Sequence, residues 1–536
     1  MDKIVNSLNE LANINSVYSL SNETIDKVLV EIENAKVCTP IIGKFSSGKS
    51  ALLNTLLGYS RRILKEDITP ETTVPCEILY SPDEDSIQVI KNDGTCQKVS
   101  VSEFRELEVD ANSVRCNRLS LKNSFLEEIP DVMLVDMPGF ESGFEVHNKA
   151  IDNYLPTSLA YIVAFPADDM IVRSSVGNIL KELCLHDMPI CIVITKYDKR
   201  NDEFEETFLK LKENLKRFIG NKEVTYCITS SFNGDAEELE NFLKEIQNNA
   251  PKILKNKFKN AVLSVINTTE NYLKTALKNN EMSESELDEN EEKINKQLNS
   301  LNDKFKKEKE SFDLEVSEFV EEIKSDVLMA LESEESTFIA MILNNQKIND
   351  HLNNIVRSAV TTSMKKRVIP KIEKYLKTIS NYIDSESIGN VKISFYFNAE
   401  EISKGVVSNT VATIAAIIMT GPIIGSIIGG IIALINKHKV NKKREEAKRQ
   451  IKLQLNSEIY PQVLKEIGIQ FEKAITKQLN IINTSIENEI KSQKEILEKA
   501  MDDIRQKMKI ESEKKENLMI DIKSDLEKIT VIKNEI

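Results

Sequence analysis

Hydrophobic and polar positions change rhythm twice along the 536 residues of this chain. Residues 1–34 place Ile4, Leu8 and Leu11, then Ile25, Val28, Leu29 and Ile32, at the spacing of amphipathic helices. From Lys36 to about Ala250 the pattern shifts to short apolar runs, at 37–42, 132–135, 161–165 and 190–194, which alternate with helical stretches such as 50–57 and 176–184. That alternation predicts a mixed, mostly parallel sheet flanked by helices. The turn Asn92-Asp93-Gly94 between two further runs adds a hairpin to it. Beyond Pro251 a heptad register takes over: Leu287, Ile294, Leu298, Leu301, Phe305, Phe312, Val316 and Phe319. After Pro461 it returns through Phe471, Ile475, Leu479, Ile482 and Ile486, then Leu497, Met501, Ile504 and Met508. Helices this long bury a stripe only against one another, so an elongated all-α stalk is expected, antiparallel and joined by the terminal helices.

Composition sharpens this picture. There is no Gly between Asp235 and Ile388, which removes most turn punctuation and favours long helices. With 71 Lys+Arg against 85 Asp+Glu, the formal charge of −14 argues against a nucleic-acid partner. All seven Cys lie between Cys38 and Cys227 without CxxC spacing, as buried free thiols in a reducing compartment would. The N-terminal residues lack a basic region followed by an apolar core, so a cytoplasmic chain is expected.

Candidate chemistry begins at Gly43-Lys44-Phe45-Ser46-Ser47-Gly48-Lys49-Ser50-Ala51, which fits GxxxxGK[ST] between a strand-like run and a helical one. Backbone N–H groups in such a loop curl around phosphate, and the helix start adds positive potential. Lys49 is then placed to reach the β- and γ-phosphates and Ser50 to ligate Mg²⁺. Asp136-Met137-Pro138-Gly139 ends the run at 132–135; Asp136 would hold Mg²⁺ through water and the Gly139 amide would sense the γ-phosphate. Thr195-Lys196-Tyr197-Asp198 ends the run at 190–194. Its carboxylate can accept from both N1–H and N2–H₂ of guanine, which adenine cannot offer, while the Lys196 stem covers the base. Ser230 and Ser231 follow the next run as a base-side loop. Ile68-Thr69-Pro70-Glu71-Thr72-Thr73-Val74 supplies three hydroxyls for a metal-ligating switch, Thr69, Thr72 and Thr73.

In these residues the chain resembles the dynamin superfamily, and within it the bacterial dynamin-like proteins. The stretch at 43–58, with Leu52-Leu53-Asn54 and Leu56-Leu57-Gly58, is similar to that family's P-loop and following helix. Pro70-Glu71-Thr72 matches its switch pattern, which singles out Thr72 as the metal ligand with Thr73 in reserve, and Asp136 to Phe140 with Thr195 to Asp198 complete the set. The resemblance implies a Mg²⁺-dependent GTPase that turns GTP into GDP and phosphate. It also implies stimulation when two heads dimerise across their sites, as a homodimer or higher oligomer or with a paired homologue. Ser46 would then orient a monovalent cation, so that Lys49, Ser46, Thr72 and Gly139 form the catalytic set. One departure stands out: eukaryotic members carry Gln where Phe45 stands, so another group must position water. Arg61 and Arg62 are either trans-acting groups or surface charges.

The region between Lys404 and Lys437 holds 32 residues without a charge, split by Gly421-Pro422. Each piece is short for a crossing of about 20 residues. The favoured expectation is a hairpin dipping into one leaflet, through Ile417, Ile418, Met419, Pro422, Ile423, Ile424, Ile427 and Ile428. Lys437, Lys442, Lys443 and Arg444 would then face an anionic phospholipid membrane, at the inner face of the cell membrane. Burial inside a helical bundle and a single crossing are the alternatives. The expected organisation is N-terminal helices at 1–34, a GTPase domain at 35–250, stalk at 251–400, an apolar paddle at 401–440 and returning stalk at 441–536.

Overall fold

The computed structural model describes residues 1–58, 63–64, 74–106, 113–139, 154, 158–184, 188–200, 202–280, 282–344, 346, 348–385, 387–388, 391–392, 406, 410, 444–507 and 512–536. Two helices, α1 (Asp2–Val17) and α2 (Glu23–Glu33), precede an α/β head. Its strands are β1 (Val37–Gly43), β2 (Cys76–Tyr80), β3 (Ser86–Lys91), β4 (Cys96–Val99), β5 (Val114–Leu121), β6 (Val132–Asp136), β7 (Tyr161–Pro166), β8 (Ile190–Thr195) and β9 (Thr225–Ile228). They form one sheet in the order β4-β3-β5-β2-β6-β1-β7-β8-β9. From β6 to β9 the pairings are all parallel, while β2 runs antiparallel to β6 and β3 pairs antiparallel with β4 and β5.

Strands β1, β7 and β8 are buried at every position, as parallel strands covered on both faces must be. One face packs on α3 (Lys49–Leu57) through Leu52, Leu53 and Leu56. Two short helices, α4 (Val101–Glu106) and α5 (Ser124–Glu128), lie in the same half of the head. The other face packs on α6 (Ser174–Leu183) and α7 (Phe204–Ile219) through Ile179, Leu180, Leu211 and Leu215. Because β6, β1, β7, β8 and β9 run the same way, their carboxyl ends share one edge, where ligands of open α/β sheets bind.

The remainder is helical. Helix α8 (Glu237–Asn279) starts on the sheet, with Leu239, Leu243 and Ile246 in the head core, and continues unbroken through Pro251. The proline therefore does not punctuate the chain, and head and body share one helix. Then come α9 (Glu284–Ser333), α10 (Glu335–Leu343), α11 (Asn349–Ser363), α12 (Ile369–Ser385), α13 (Arg444–Gln454), α14 (Tyr460–Lys507) and α15 (Ser512–Glu535). Pro370 and Pro461 do not end helices either. Each sits just after a π-helical turn, Met364–Val368 or Leu455–Ile459, which joins two helices end to end. A wider turn accommodates the ring and the missing N–H.

Helices α9 and α14 run antiparallel: Tyr460 Oη donates to the Leu331 carbonyl at 3.1 Å at one end, and Arg505 pairs with Asp288 at 2.7 Å at the other. The heptad residues from Ile294 to Phe319 pack between them with Phe471, Ile475 and Leu479. Helices α1, α2 and α15 pack on α8, where Thr269 donates to Asn15 at 2.7 Å and Tyr18 to Asp525 at 2.9 Å. Among the described residues no helix is long and apolar enough to cross a membrane. Ile417 to Lys443 lie outside the described residues, and Arg444 opens α13. Val406 and Thr410, both within the charge-free run, are buried, Val406 in the core between α9 and α14.

Candidate nucleotide-binding site

The segment between β1 and α3 is a tight loop whose backbone determines its chemistry. Ser46 and Gly48 adopt left-handed φ values of 62° and 83°. A Cβ on Gly43 would lie 2.6 Å from Ser47 Oγ, so the loop closes on itself only with glycine there. Gly48 also caps α3, which leaves the first N–H groups of that helix facing the loop. Lys49 is buried and donates to the carbonyls of Gly43 and Lys44, both at 3.2 Å. Burial lowers its pKa to about 8, against the opposing pull of Asp136. Asp136 ends β6 and is likewise buried; its pKa rises to about 6, with Lys49 and Ser50 limiting the rise.

Ser50 Oγ donates to Asp136 Oδ2 at 2.7 Å, while Asp136 Oδ1 and Ser47 Oγ are buried without a partner among the described residues. A hydroxyl and a carboxylate with a spare buried oxygen are hard oxygen donors that suit Mg²⁺, so the residues fit the ion. Gly139 lies against the loop: a Cβ there would meet Phe45 Cα at 2.6 Å and Phe45 N at 2.8 Å. The DxxG and GxxxxGKS segments therefore meet twice, through the Ser50–Asp136 hydrogen bond and through the backbone of Gly139 against Phe45. Ala51 lies in the first turn of α3.

The base side is assembled from the ends of β8 and β9. Thr195 Oγ1 donates to the Ser47 carbonyl at 2.5 Å, and Lys196 Nζ to the Ser46 carbonyl at 2.6 Å. Lys196 holds a left-handed φ of 56°, which lays its stem over the loop, and its half-buried ammonium is shifted down by desolvation. Ser230 Oγ donates to Asp198 Oδ1 at 2.7 Å, and Tyr197 N–H to the Thr229 carbonyl at 3.1 Å. Ser231 follows directly. The structure thus brings Gly43, Lys44, Phe45, Ser46, Ser47, Gly48, Lys49, Ser50, Asp136, Gly139, Thr195, Lys196, Asp198 and Ser230 to one edge. Thr72 and Thr73, with Arg61 and Arg62, lie outside the described residues.

Sequence reasoning passed over three contributors. Lys44 Nζ donates to Asp169 at 2.8 Å, and Arg173 to the same carboxylate at 3.0 Å, so the segment after β7 clamps the phosphate loop. These ion pairs hold the Asp169 carboxyl below the usual range, Lys44 contributing most. No motif marks Asp169; only its place after a buried strand hints at it. Asn54 on α3 accepts from the N–H groups of Ile63 and Leu64 and donates to the Leu64 carbonyl. It thereby pins the chain just ahead of the switch segment. Glu77 on β2 is buried, paired with Arg118 at 2.7 Å and accepting from Tyr154 Oη at 2.7 Å.

Comparison with known proteins gives this geometry a context. The family model for the Dynamin family matches residues 40–197. An uncharacterized protein from the xynA 3' region of Caldicellulosiruptor sp. (strain Rt8B.4) is 23% identical over 398 residues, 67% of this chain and 96% of that one. Among solved structures, an oligomerised bacterial dynamin pair, described as a mechanism for long-range sensing and tethering of membranes, aligns over 99% of this chain and 82% of that one. Its TM-score is 0.38, at 14% identity. LeoA, a bacterial dynamin GTPase from ETEC, aligns over 92% of this chain and 96% of its own, with a TM-score of 0.31 at 14% identity.

Proposed function

We propose that this chain, a P-loop GTPase of the dynamin family, binds GTP at the carboxyl edge of its sheet and couples hydrolysis to movement of its helical body at a membrane. One observation carries the reading: Lys49, Ser50 and Asp136 meet Thr195, Lys196, Asp198 and Ser230 across a single loop. Lys49 is a buried cation whose hydrogen bonds among the described residues are two long carbonyl contacts, and phosphate oxygens would offer it shorter, charge-assisted bonds. Ser50 and Asp136 would hold Mg²⁺, which when bound supplies positive charge to the phosphates. Asp198, steadied by Ser230, accepts from the guanine edge, and Lys196 covers one face of the base. The contact of Gly139 with the Phe45 backbone gives the loop after β6 a way to report on the phosphate loop. Phe45 has no polar group for the attacking water. That role falls to backbone or to a switch residue such as Thr72, and a monovalent cation beside Ser46 would offset developing charge.

The domain assignment follows: head at 35–250, stalk at 251–400 and 441–536 with residues 1–34, and an apolar paddle at 401–440 that meets anionic lipid from the cytoplasmic side. Heads would pair as a homodimer or with a related chain. A second reading, a nucleotide-switched scaffold with the apolar run covered by protein, is favoured by the burial of Val406 and Thr410. GTP turnover with and without anionic vesicles, with pelleting read from the same tubes and Lys49→Ala as control, separates the two. Turnover and pelleting that rise together support the membrane reading. Turnover without pelleting in any nucleotide state supports the scaffold, and no turnover at all removes both.

A further inference from the structure

The loop after β9 carries a side chain that the nucleotide site so far leaves unused. Phe232 is 85% exposed, an unusual position for an aromatic ring. Beside Asp198, Tyr197 opens a row of rings on one face of the sheet, edge to face with Phe204, which stacks on Phe208, itself edge to face with Tyr226. The backbone around Phe232 is held firmly. Ser230 N–H donates to the Asp235 carbonyl at 2.8 Å and Asp235 N–H returns to the Ser230 carbonyl at 2.9 Å, closing a narrow hairpin. Asn233 N–H donates to the Ser230 carbonyl at 3.1 Å, and Gly234 turns the chain with a φ of 67°. Phe232 therefore stands at the apex of a fixed turn.

What lies next to that apex decides its use. Ser230, at the base of the hairpin, is bonded to Asp198, and Asp198 lies two residues beyond Lys196, whose stem crosses the phosphate loop. Phe232, two residues beyond Ser230, and Lys196, two residues before Asp198, thus reach the same hydrogen-bonded pair from two different strand ends. A planar purine whose edge is read by Asp198 has two faces to cover, and an alkyl stem covers one. An aromatic ring suits the other, since offset stacking on a purine replaces water on both surfaces.

We propose that Phe232 is the aromatic platform on which the guanine base of the bound nucleotide stacks, opposite the Lys196 stem. The inference rests on the guanine-site reading above. Its ligand is any guanine nucleotide, and the base is what it recognises: GDP and GTP gain equally, while a phosphate chain without a base gains nothing. The competing occupant of an exposed ring at this edge is a second copy of the chain, which the test distinguishes.

The experiment uses the full chain with Mg²⁺. Calorimetric affinities for GDP and for inorganic tripolyphosphate are compared between the unsubstituted protein and Phe232→Ala. The expected result is GDP affinity weakened about 10-fold with tripolyphosphate affinity unchanged, in line with stacking energies measured by alanine substitution. Because the chain contains no Trp, Phe232→Trp supplies a single emission reporter. GDP is expected to shift or quench its emission, at a concentration set by the calorimetric Kd, and tripolyphosphate is not. Equal GDP affinity in the two proteins, or a loss shared by tripolyphosphate, overturns the proposal. If GDP affinity is unchanged but concentration-dependent turnover is lost, Phe232 belongs to a contact between copies instead. If the unsubstituted protein binds tripolyphosphate but not GDP, the guanine-site reading fails and this inference with it.

Discussion

The head and the helical body both bury polar side chains, but with different results. In the body these groups answer one another across helices: Asn271 and Gln493 at 2.9 Å, Thr269 and Asn15 at 2.7 Å, Tyr375 and Asn483 at 2.8 Å. In the head, Lys49 rests on two carbonyls at 3.2 Å, and Asp136 Oδ1 and Ser47 Oγ have no partner among the described residues. An unpaired buried polar group costs about 1–3 kcal/mol. A lone orphan does not mark a site, since Asn280 and Asn353 in the body also carry unpaired atoms. What separates the head is that charge, orphan oxygens and left-handed backbone coincide at one sheet edge. Orphans in the body are scattered among polar groups that satisfy each other, whereas those at the sheet edge adjoin a buried charge.

The comparison makes body substitutions cost stability and site substitutions cost binding, and each prediction tries to break that division. The largest effect is expected in the body. Phe319→Ala empties a fully buried position between α9 and α14 and should lower unfolding free energy by about 3–5 kcal/mol in a denaturant titration. GDP affinity of the folded fraction should not move. Next comes Lys49→Ala, expected to weaken GDP binding roughly 100-fold, or about 2.7 kcal/mol. Its melting temperature should hold or rise, because an undercompensated buried cation has been removed. A sharp fall in melting temperature would place Lys49 with the structural groups and break the comparison from the head side.

How much of this was legible in the sequence differs between the same two regions. The strand-and-helix alternation, the three nucleotide motifs and the heptad stripe each rest on local spacing, and spacing is visible in one chain. Pairings between distant segments are not: nothing near Asp169 announces that it will clamp Lys44, 125 residues away. The helix breaks around the prolines are equally hidden: Pro251, Pro370 and Pro461 all lie within helices, the latter two just after π-helical turns that no local spacing announces.

A smaller effect tests the body's pairings directly. Tyr375→Phe removes the donor to Asn483 Oδ1, both side chains being buried, and should cost about 1–2 kcal/mol with nucleotide binding intact. The smallest is a pH effect. Burial opposes ionisation of Glu270, but hydrogen bonds and charge from Lys274 and Lys533 outweigh it and hold its carboxyl below the usual range. A depressed folded pKa means that the unfolded chain binds the proton more readily as pH falls through the unfolded value. The contribution is thus complete above about pH 5 and lost progressively below it, as pH falls toward the folded pKa. Glu270→Gln should flatten that part of the acid limb in a stability–pH profile; an unchanged limb would show that the pair holds nothing.

The central claim is a guanine-specific nucleotide site built on Asp198, and base exchange tests it most directly. Xanthine carries a carbonyl where guanine carries its N2 amine, so an amide side chain that both accepts and donates suits it, whereas a carboxylate does not. GDP, ADP and XDP are titrated with Mg²⁺ into the unsubstituted protein and into Asp198→Asn. The account predicts that the unsubstituted protein prefers GDP over both others by roughly 100-fold or more, and that Asp198→Asn prefers XDP over GDP. Equal affinity of the unsubstituted protein for ADP and GDP, or an undiminished GDP preference in Asp198→Asn, would contradict it.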